Sequence, residues 1–317
     1  MPEEASENWR RRHEQWLRYV TSLTESVESG RGISLGPSHK KLRPPPAGGT
    51  QHGGSRVVFC APHPDDEALS GALALRLRLE SGARVTNVAI TLGSNEAQRP
   101  RRLRELESAC SALGFSLVVP QHPSGFDNVN QASRREKPSE WAAKVQTLRE
   151  ILDRESPEAV FAPHARDFNS THVGTHDLVI EALEAHLEAG GRKPVLLIET
   201  EFWHQIERPN LMIGLSAGLV AAQLAGIAEY GGEMARNPYH LLHPCRLMDN
   251  VRRGSEVIGG QGVPGLAFLF AELYRVRWMA GKDRISARPE GLIIGPDTKV
   301  SLDLLRSRFV PQTKGRI

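Results

Sequence analysis

The chain has 317 residues with 39% hydrophobic and 24% charged side chains, which fits a globular protein of one large domain or two smaller ones. Its formal net charge of +3 is too small to indicate a nucleic-acid partner, which usually requires a dense basic patch. The three cysteines are scattered, and the longest apolar run is well short of the roughly 18 residues of a membrane span. We see no signal-peptide pattern either, and we therefore expect a cytoplasmic protein.

Two N-terminal segments precede the expected core. Residues 4–29 carry Trp9, Trp16 and Leu23 among many charges, at spacings that fit an amphipathic helix. We expect this helix to dock on the body of the protein or on a second subunit, which makes a homo-oligomer possible. The polar stretch 36–55 contains three consecutive prolines and several glycines, and it is typical of a linker or a surface arm.

The central region alternates short apolar runs with helical patterns. Continuous apolar runs are expected where both faces of a parallel sheet are covered. The predicted strands are residues 56–60, 84–91, 116–119, 159–162 and 194–200. The predicted helices between them are residues 68–80, 100–113, 140–155 and 173–188. With right-handed crossovers, this order predicts an α/β fold with a Rossmann-like, doubly wound, mostly parallel sheet.

The C-terminal third lacks this regular alternation. Residues 215–230 have a helical pattern, residues 238–264 are rich in Gly, Arg, His and Asn without clear periodicity, and residues 267–317 mix helix and strand patterns. We expect this part to wrap the sheet and to shape a substrate cleft. The predicted organisation is therefore an N-terminal helix and linker (1–50), a Rossmann-like catalytic core (51–240) and a C-terminal extension that packs on the core (241–317).

The most informative motif is the run PHPDDE at residues 62–67, between the first predicted strand and the first predicted helix. Ligands of open α/β sheets bind at the carboxyl ends of the strands. Asp65 and Asp66 repel each other across one peptide bond unless a positive group lies beside them, and a divalent metal is the simplest candidate. His63 and Asp66 can converge on one ion while Asp65 points elsewhere.

A second polar turn follows the predicted strand 159–162. Its candidate site residues are His164, Asp167, Asn169, His172 and His176. One imidazole from this turn, together with His63 and Asp66, would give a zinc set of two histidines and one carboxylate with an open position for water. Such an ion lowers the pKa of its bound water towards about 7.

Each motif alone has a simpler interpretation. An Asp-Asp pair at a helix start can cap the helix and complement its dipole, and a single histidine such as His172 is more often a surface or core residue. Their joint position at the ends of two strands favours the metal site. His172 and His176 also have the i, i+4 spacing of a zinc-binding pair, but the thermolysin-like version of that pair needs a Glu where Val173 stands.

These residues also carry a resemblance to a known family. APHPDDE at 61–67 resembles the AHPDDE turn of the LmbE/PIG-L-like zinc-dependent deacetylases, which remove acetyl groups from N-acetylglucosamine-type amines. Thr91-Leu92-Gly93, Arg102 with Glu105, and the run DFNSTH at 167–172 follow in the family's order. The resemblance covers roughly residues 55–240.

The resemblance implies a division of roles at the site. His63, Asp66 and His172 would be the ligands of one Zn²⁺ per chain. Asp65 would be the general base that takes a proton from the attacking water. The cation would favour the charged form of this carboxylate.

Two positions depart from the family pattern. Asn169 stands where the family has the histidine that stabilises the oxyanion or protonates the amine, and Thr171 stands where that histidine has its partner aspartate. Asn can donate a hydrogen bond to an oxyanion but cannot act as an acid. The missing proton would come from Asp65 after it has been protonated, which we favour, or from His164 or His176.

Further residues are predicted to bind the substrate. Arg102 belongs to a cluster of arginines that either anchors a hydroxyl-rich or anionic substrate or forms a solvated helix face. His164 and Asp167 are expected to contribute from the second turn. Trp203 and Tyr239 would suit sugar stacking, although aromatic residues more often serve packing.

The predicted function is zinc-dependent hydrolysis of the N-acetyl group of an N-acetylglucosamine-type sugar or glycoconjugate, a small-molecule partner. One alternative is another metal-dependent hydrolase such as an amidase; two-metal phosphoesterases need more ligands than the sequence offers. A non-catalytic sugar-binding protein of the same fold is the other alternative. Asn169 and Thr171 favour that second alternative, and Asp65 opposes it.

Overall fold

The computed structural model describes residues 2–37, 54–189, 193–260, 262, 265–280, 283–286 and 291–309. Most of the predicted linker at 36–55 lies outside the described residues. Each helix in the described ranges is too short or too polar to cross a membrane.

A single sheet forms the centre of the molecule, with strand order β3-β2-β1-β4-β5-β7-β6-β9 and β8 paired to β7. β1 to β5 are mutually parallel, as predicted, so the Rossmann-like α/β fold is confirmed. The strands are β1 (Arg56–Ala61), β2 (Arg84–Ala89), β3 (Ser116–Val118), β4 (Ala159–Pro163), β5 (Val195–Thr200), β6 (Leu211–Leu215), β7 (Phe270–Ala280), β8 (Asp283–Ser286) and β9 (Leu292–Ile294).

Helices cover both faces of the sheet. They are α1 (Pro2–Arg31), α2 (Asp66–Leu69), α3 (Ala72–Ser81), α4 (Arg99–Leu113), α5 (Gln131–Glu136), α6 (Pro138–Glu155), α7 (Ser170–Glu188), α8 (Ala217–Ala228), α9 (Gly231–Arg236), α10 (Tyr239–Gly254) and α11 (Leu302–Arg308). Successive residues of β1 alternate between the two cores: Val57 and Phe59 pack on the side of α3 and α4, Val58 and Cys60 on the side of α6 and α7. Both faces are buried, which explains why the strands are continuous apolar runs.

The predicted helix at 68–80 is two helices, α2 and α3, separated at Ser70 and Gly71. Gly71 approaches the chain so closely that a Cβ there would lie 2.0 Å from the carbonyl oxygen of Glu67. A side chain at this position would force the two segments apart. The break therefore keeps α2 as one short turn that fixes the residues after β1.

The C-terminal third completes the sheet instead of only wrapping it. β7 lies between β5 and β6 and runs antiparallel to both. Its buried Glu272 accepts hydrogen bonds from the backbone N–H of Ala72 at 3.0 Å and from Gln223 at 2.6 Å. These bonds connect β7 to α3 and α8. They also satisfy a carboxyl group that is buried within β7, a strand that the sequence pattern did not predict.

The N-terminal helix forms as predicted, but its aromatic residues do not dock on the body of the same chain. Trp9 and Trp16 are 64% and 67% exposed, and Leu23 is also exposed. Near its C-terminal end the helix approaches α10, where Gly30 lies against Leu241. Association with a second copy stays a prediction.

The buried histidine of α10 gives a prediction for stability. Burial, followed by the nearby Arg246, lowers the pKa of His243 from 6.5 to about 3. Between pH 6.5 and pH 3, His243 is therefore protonated in the unfolded chain but neutral in the folded one. The contribution of neutral His243 to the free energy of unfolding is fully present above pH 6.5 and is lost as the pH falls towards 3.

We expect the free energy of unfolding to fall by about 2 kcal/mol between pH 7 and pH 5 because of the titration of His243. His243→Leu should remove that part of the decrease, as measured by urea unfolding at both pH values. An unchanged difference in the variant would show that other groups cause the acid sensitivity.

Candidate metal centre

Two neighbouring strands bring the site together. β1 and β4 pair directly and in parallel, so their carboxyl ends lie side by side. After β1 the chain turns through Asp65, which has φ of 122°, and α2 begins at Asp66. A positive φ is uncommon for a residue other than glycine, and such strained positions concentrate at functional sites.

After β4, Asn169 caps the start of α7. Its Oδ1 accepts hydrogen bonds from the backbone N–H of Thr171 at 2.9 Å and of His172 at 3.4 Å. Asn is among the preferred N-cap residues because its side-chain oxygen satisfies these otherwise unpaired groups. Since Oδ1 accepts these two bonds, Nδ2 is the group of Asn169 that can donate a hydrogen bond to a molecule in the cleft that Asn169 lines.

His63, Asp66 and His172 meet between the two turns. Asp66 Oδ2 lies 3.4 Å from His63 Nδ1 and 3.3 Å from His172 Nε2, and one ligand atom from each residue falls within 4.8 Å of the others. His172 Nε2 is buried and has no hydrogen-bond partner among the described residues. These three side chains could hold a metal ion, because an ion would satisfy this orphaned nitrogen.

The electrostatics of the cluster favour opposite charges. Burial raises the pKa of Asp66, but His172 and His63 outweigh it and hold the pKa below its ordinary value. Burial lowers the pKa of His172, but Asp66 and Asp167 outweigh it and raise the pKa to about 10. Asp66 is therefore held as a carboxylate, which is the form a metal ligand must have, whereas a bound ion would have to displace the proton of His172.

Asp167 contacts the nitrogen of His172 that faces away from Asp66. Its Oδ2 is buried and lies 3.5 Å from His172 Nδ1, and its Oδ1 accepts the backbone N–H of Asn169 at 2.9 Å. A carboxylate on the far nitrogen of a metal-binding histidine commonly fixes the orientation of the ring. This position differs from the substrate contact that the sequence suggested for Asp167.

Asp65 lies beside the cluster but outside it. Burial, then the Asp66 carboxylate, raises the pKa of Asp65 well above its ordinary value, and the Arg102 guanidinium opposes the increase. Next to it, burial raises the pKa of Glu67 to about 7, although the Tyr230 hydroxyl donates a hydrogen bond to Glu67. Asp65 is thus a carboxyl group that lines the cleft without joining the group of ligand atoms.

Arg102 reaches the cleft from α4. It donates to the carbonyl oxygen of Leu92 at 3.3 Å and lies 3.6 Å from the carboxylate of Glu233, and its buried Nε has no partner among the described residues. Gly93 makes room for it: φ there is +90°, and a Cβ would lie 2.1 Å from Arg102 Nη1. This contact gives a physical reason for the Thr-Leu-Gly motif after β2.

An open cleft of about 630 Å³ lies in front of the cluster. Its wall combines polar side chains with an aromatic edge at Phe202, Trp203 and Tyr239. The sequence did not identify several polar lining residues, which come from separate loops and from α9: Asn95, Asp127, Asn128, Asn130, Glu233 and Arg236. No spacing signal marks them, because only the fold brings these loops together.

The two remaining histidines of the second turn lie elsewhere. His164 lines a neighbouring cavity, and its Nε2 lies 2.9 Å from the carbonyl oxygen of His204. His176 is buried, with Nδ1 2.9 Å from the carbonyl oxygen of Pro163. Neither is among the described residues that line the cleft. The substrate contact of His164 and the role of either histidine as proton donor stay predictions.

Comparison with a family model identifies the central region. Residues 58–183 match the family described as PIG-L: GlcNAc-PI de-N-acetylase. The matched segment contains the two turns and Arg102. No curated protein sequence matches the chain.

Solved structures share the fold at low sequence identity. The conserved protein TT1542 from Thermus thermophilus is 19% identical with a TM-score of 0.51, over 69% of this chain and 93% of that one. GalB, the 4-carboxy-2-hydroxymuconate hydratase of Pseudomonas putida, is 20% identical with a TM-score of 0.51, over 70% and 95%. The A40926 pseudoaglycone deacetylase Dbv21 is 16% identical with a TM-score of 0.52, over 72% and 99%.

These structures show the fold, and the sequence match confirms the resemblance that the motifs carry. Residues 58–183 of the chain are therefore similar in sequence to the PIG-L family, whose description is that of a de-N-acetylase.

Proposed function

We propose that the chain is a zinc-dependent deacetylase that hydrolyses the N-acetyl group of an amino sugar or glycoconjugate. The observation that carries the proposal is the cluster of His63, Asp66 and His172 beside a fourth group, Asp65, which lines the same cleft. Two imidazoles and one carboxylate are a ligand set typical of catalytic zinc. The match to a de-N-acetylase family supports an acetamide as the substrate.

A zinc ion held by these three residues would activate water for attack on the acetamide carbonyl. Asp65 would accept the proton that the water loses and return it to the amine nitrogen as the C–N bond breaks. Asn169 Nδ2 would donate a hydrogen bond to the carbonyl oxygen as negative charge develops on it. The products are acetate and a free amine.

The cleft lining supports a hydroxyl-rich substrate. Arg102, Glu233 and Asn128 offer hydrogen-bonding groups, and Trp203 is 47% exposed at the aromatic edge, where a sugar ring could stack. Rigid aromatic faces next to a few polar groups are typical of small-molecule sites. The second candidate is an acidic, non-sugar amide, which the cleft arginines Arg99, Arg102 and Arg236 would also suit.

The fold alone does not select the reaction, since the structurally similar proteins include a deacetylase and a hydratase. Acetate release should therefore be measured with zinc-loaded protein on matched panels of N-acetylated sugars and N-acetylated acidic amides, with Asp65→Asn as the control. Release from sugars that the control lacks would support the proposal. Release from the acidic amides alone would favour the second candidate, and release from neither would indicate a non-catalytic binding protein.

The contact between Gly93 and Arg102 gives a prediction with a matched control. Gly93→Ala would place a methyl group where the guanidinium lies, whereas Gly260→Ala has a similar φ of +91° with nothing within 4 Å. Both variants should lose about 1–3 kcal/mol of unfolding free energy from backbone strain. Only Gly93→Ala should also lower kcat/KM, by about tenfold or more, since a small displacement of a positioning group is costly.

Urea unfolding and acetate-release kinetics on the two variants provide the measurement. Equal kcat/KM in both would show that the position of Arg102 has no part in substrate binding or catalysis.

A further inference from the structure

A second cavity, of about 420 Å³, lies on the other side of the β4–α7 turn. Among the described residues, it shares no lining residue with the cleft of the metal centre. Its charged lining residues come from that turn, from β5 and β7, and from the segment between β5 and β6: Arg166, Glu199, Glu207, Arg208, Arg275 and Arg277. Three separate parts of the chain thus direct four guanidinium groups into one space.

The carboxylates of the cavity compensate only part of this charge. Glu199 is buried and accepts from Arg277 Nε at 3.0 Å, and Glu207 pairs with Arg166 at 2.5 Å. Arg208 and Arg275 form no ion pair within the described part of the chain. Two positive charges therefore remain without a matching carboxylate.

The arrangement holds like charges close together. Arg275 and Arg277 are two residues apart on β7 and point to the same face of the sheet, since side chains of a strand alternate. Burial, then the charges of Arg277 and Arg208, lowers the pKa of Arg275, and the carboxylates of Glu199 and Glu207 oppose this decrease without reversing it. Crowded guanidinium groups repel each other, and a bound anion would relieve that repulsion.

We propose that this cavity binds the phosphate group of a small organic phosphate. Two uncompensated guanidinium groups match the two charges of a phosphate monoester better than the single charge of a carboxylate. Arginine presents its N–H groups in a planar fork that fits phosphate oxygens in pairs. The cavity is far larger than one phosphate ion, which leaves space for the organic part of the ligand.

The cavity also contacts elements that hold the catalytic residues. Glu199 Oε1 lies 3.9 Å from Nδ1 of His176, one helical turn beyond His172 in α7. His164 and Arg166 lie in the turn that carries Asp167. A ligand bound here would therefore contact the segment that positions the second half of the metal centre, without entering the cleft.

Binding can be measured by isothermal titration calorimetry on metal-loaded protein at fixed ionic strength, with glycerol phosphate and inorganic phosphate as separate titrants. We expect saturable binding of one glycerol phosphate per chain, tighter than inorganic phosphate. Arg275→Gln and Arg208→Gln should each weaken it by about tenfold or more. Arg208 is exposed on a loop, so its variant keeps the test valid even if the β7 variant is destabilised.

Arg252→Gln is the matched control, because it removes the same charge from an exposed position on α10 that pairs with Glu256. Its affinity for glycerol phosphate should equal that of the unchanged protein. Equal weakening in all three variants would reduce the effect to general electrostatics and overturn the proposal. Binding that His63→Ala abolishes and Arg208→Gln leaves intact would place the phosphate at the metal centre, which also overturns it. Tighter binding of inorganic phosphate than of glycerol phosphate would contradict the proposal that the ligand is an organic phosphate.

Discussion

The Asp65→Asn variant should keep its metal and lose about 10²- to 10⁴-fold in kcat. Asparagine has nearly the same shape as aspartate but cannot accept a proton. Metal binding should persist, because Asp65 is not among the three residues whose ligand atoms converge. The measurement is kcat for acetate release together with metal content, in the same protein preparation.

Asp127→Asn is a suitable control for this experiment. Asp127 lines the same cleft and pairs with Arg99, but it lies at the exposed rim. The same chemical change there should leave kcat within a few-fold of the original value. Loss of metal in Asp65→Asn would make Asp65 a ligand instead of a proton acceptor, and an unchanged kcat would remove it from the reaction.

His172→Ala should lose both the metal and the activity. The variant removes one of three ligands, and it leaves Asp66 and Asp167 as two buried carboxylates without the imidazole that each one faces. Metal content should fall from about one zinc per chain to a small fraction of that value. Mass spectrometry of the metal after dialysis, with unfolding curves to confirm the fold, provides the measurement.

His176→Ala is the matched control for His172→Ala. His176 lies one turn later on the same helix and outside the cluster, so its variant should retain the metal. Equal metal loss in both variants would favour the i, i+4 histidine pair as the metal site. Full metal content in His172→Ala would contradict the site that the structure brings together.

The parallel half of the sheet could be predicted from the sequence because its strands follow one simple rule. In β1, the residues Val57 to Ala61 are buried on both faces, so the strand is a continuous apolar run. β7 escapes this rule, since it interleaves buried apolar residues with Glu272, Arg275 and Arg277. Glu272 is satisfied by bonds to groups far away in the sequence, including the N–H of Ala72, and no local pattern indicates such partners.

α10 was missed for a related reason. Its buried side is periodic and includes His243, Leu247, Asn250 and Arg253, but three of these four residues are polar. Asn250 donates to the carbonyl oxygen of Ala271, and Arg253 pairs with Glu201. A pattern search based on hydrophobicity registers the polar residues as surface, because their burial depends on partners that only the folded chain supplies.

The metal cluster could be predicted because two adjacent parallel strands must end at the same edge of the sheet. Once β1 and β4 are neighbours, His63 and His172 are brought close by the turns that follow them. The contact between Asp167 and His172 could not be predicted, because the sequence position of Asp167 does not show which nitrogen of which histidine it faces. The position of Glu233 in the cleft was not predicted, because Glu233 lies on α9, in the part of the chain where strands and helices no longer alternate regularly.

Diffraction from crystals grown with zinc, recorded at the zinc absorption edge, tests the central claim most directly. We predict one anomalous peak per chain, within coordination distance of His63, Asp66 and His172 together. A fully occupied ion bound elsewhere, or one that leaves His172 uncoordinated, would contradict the account.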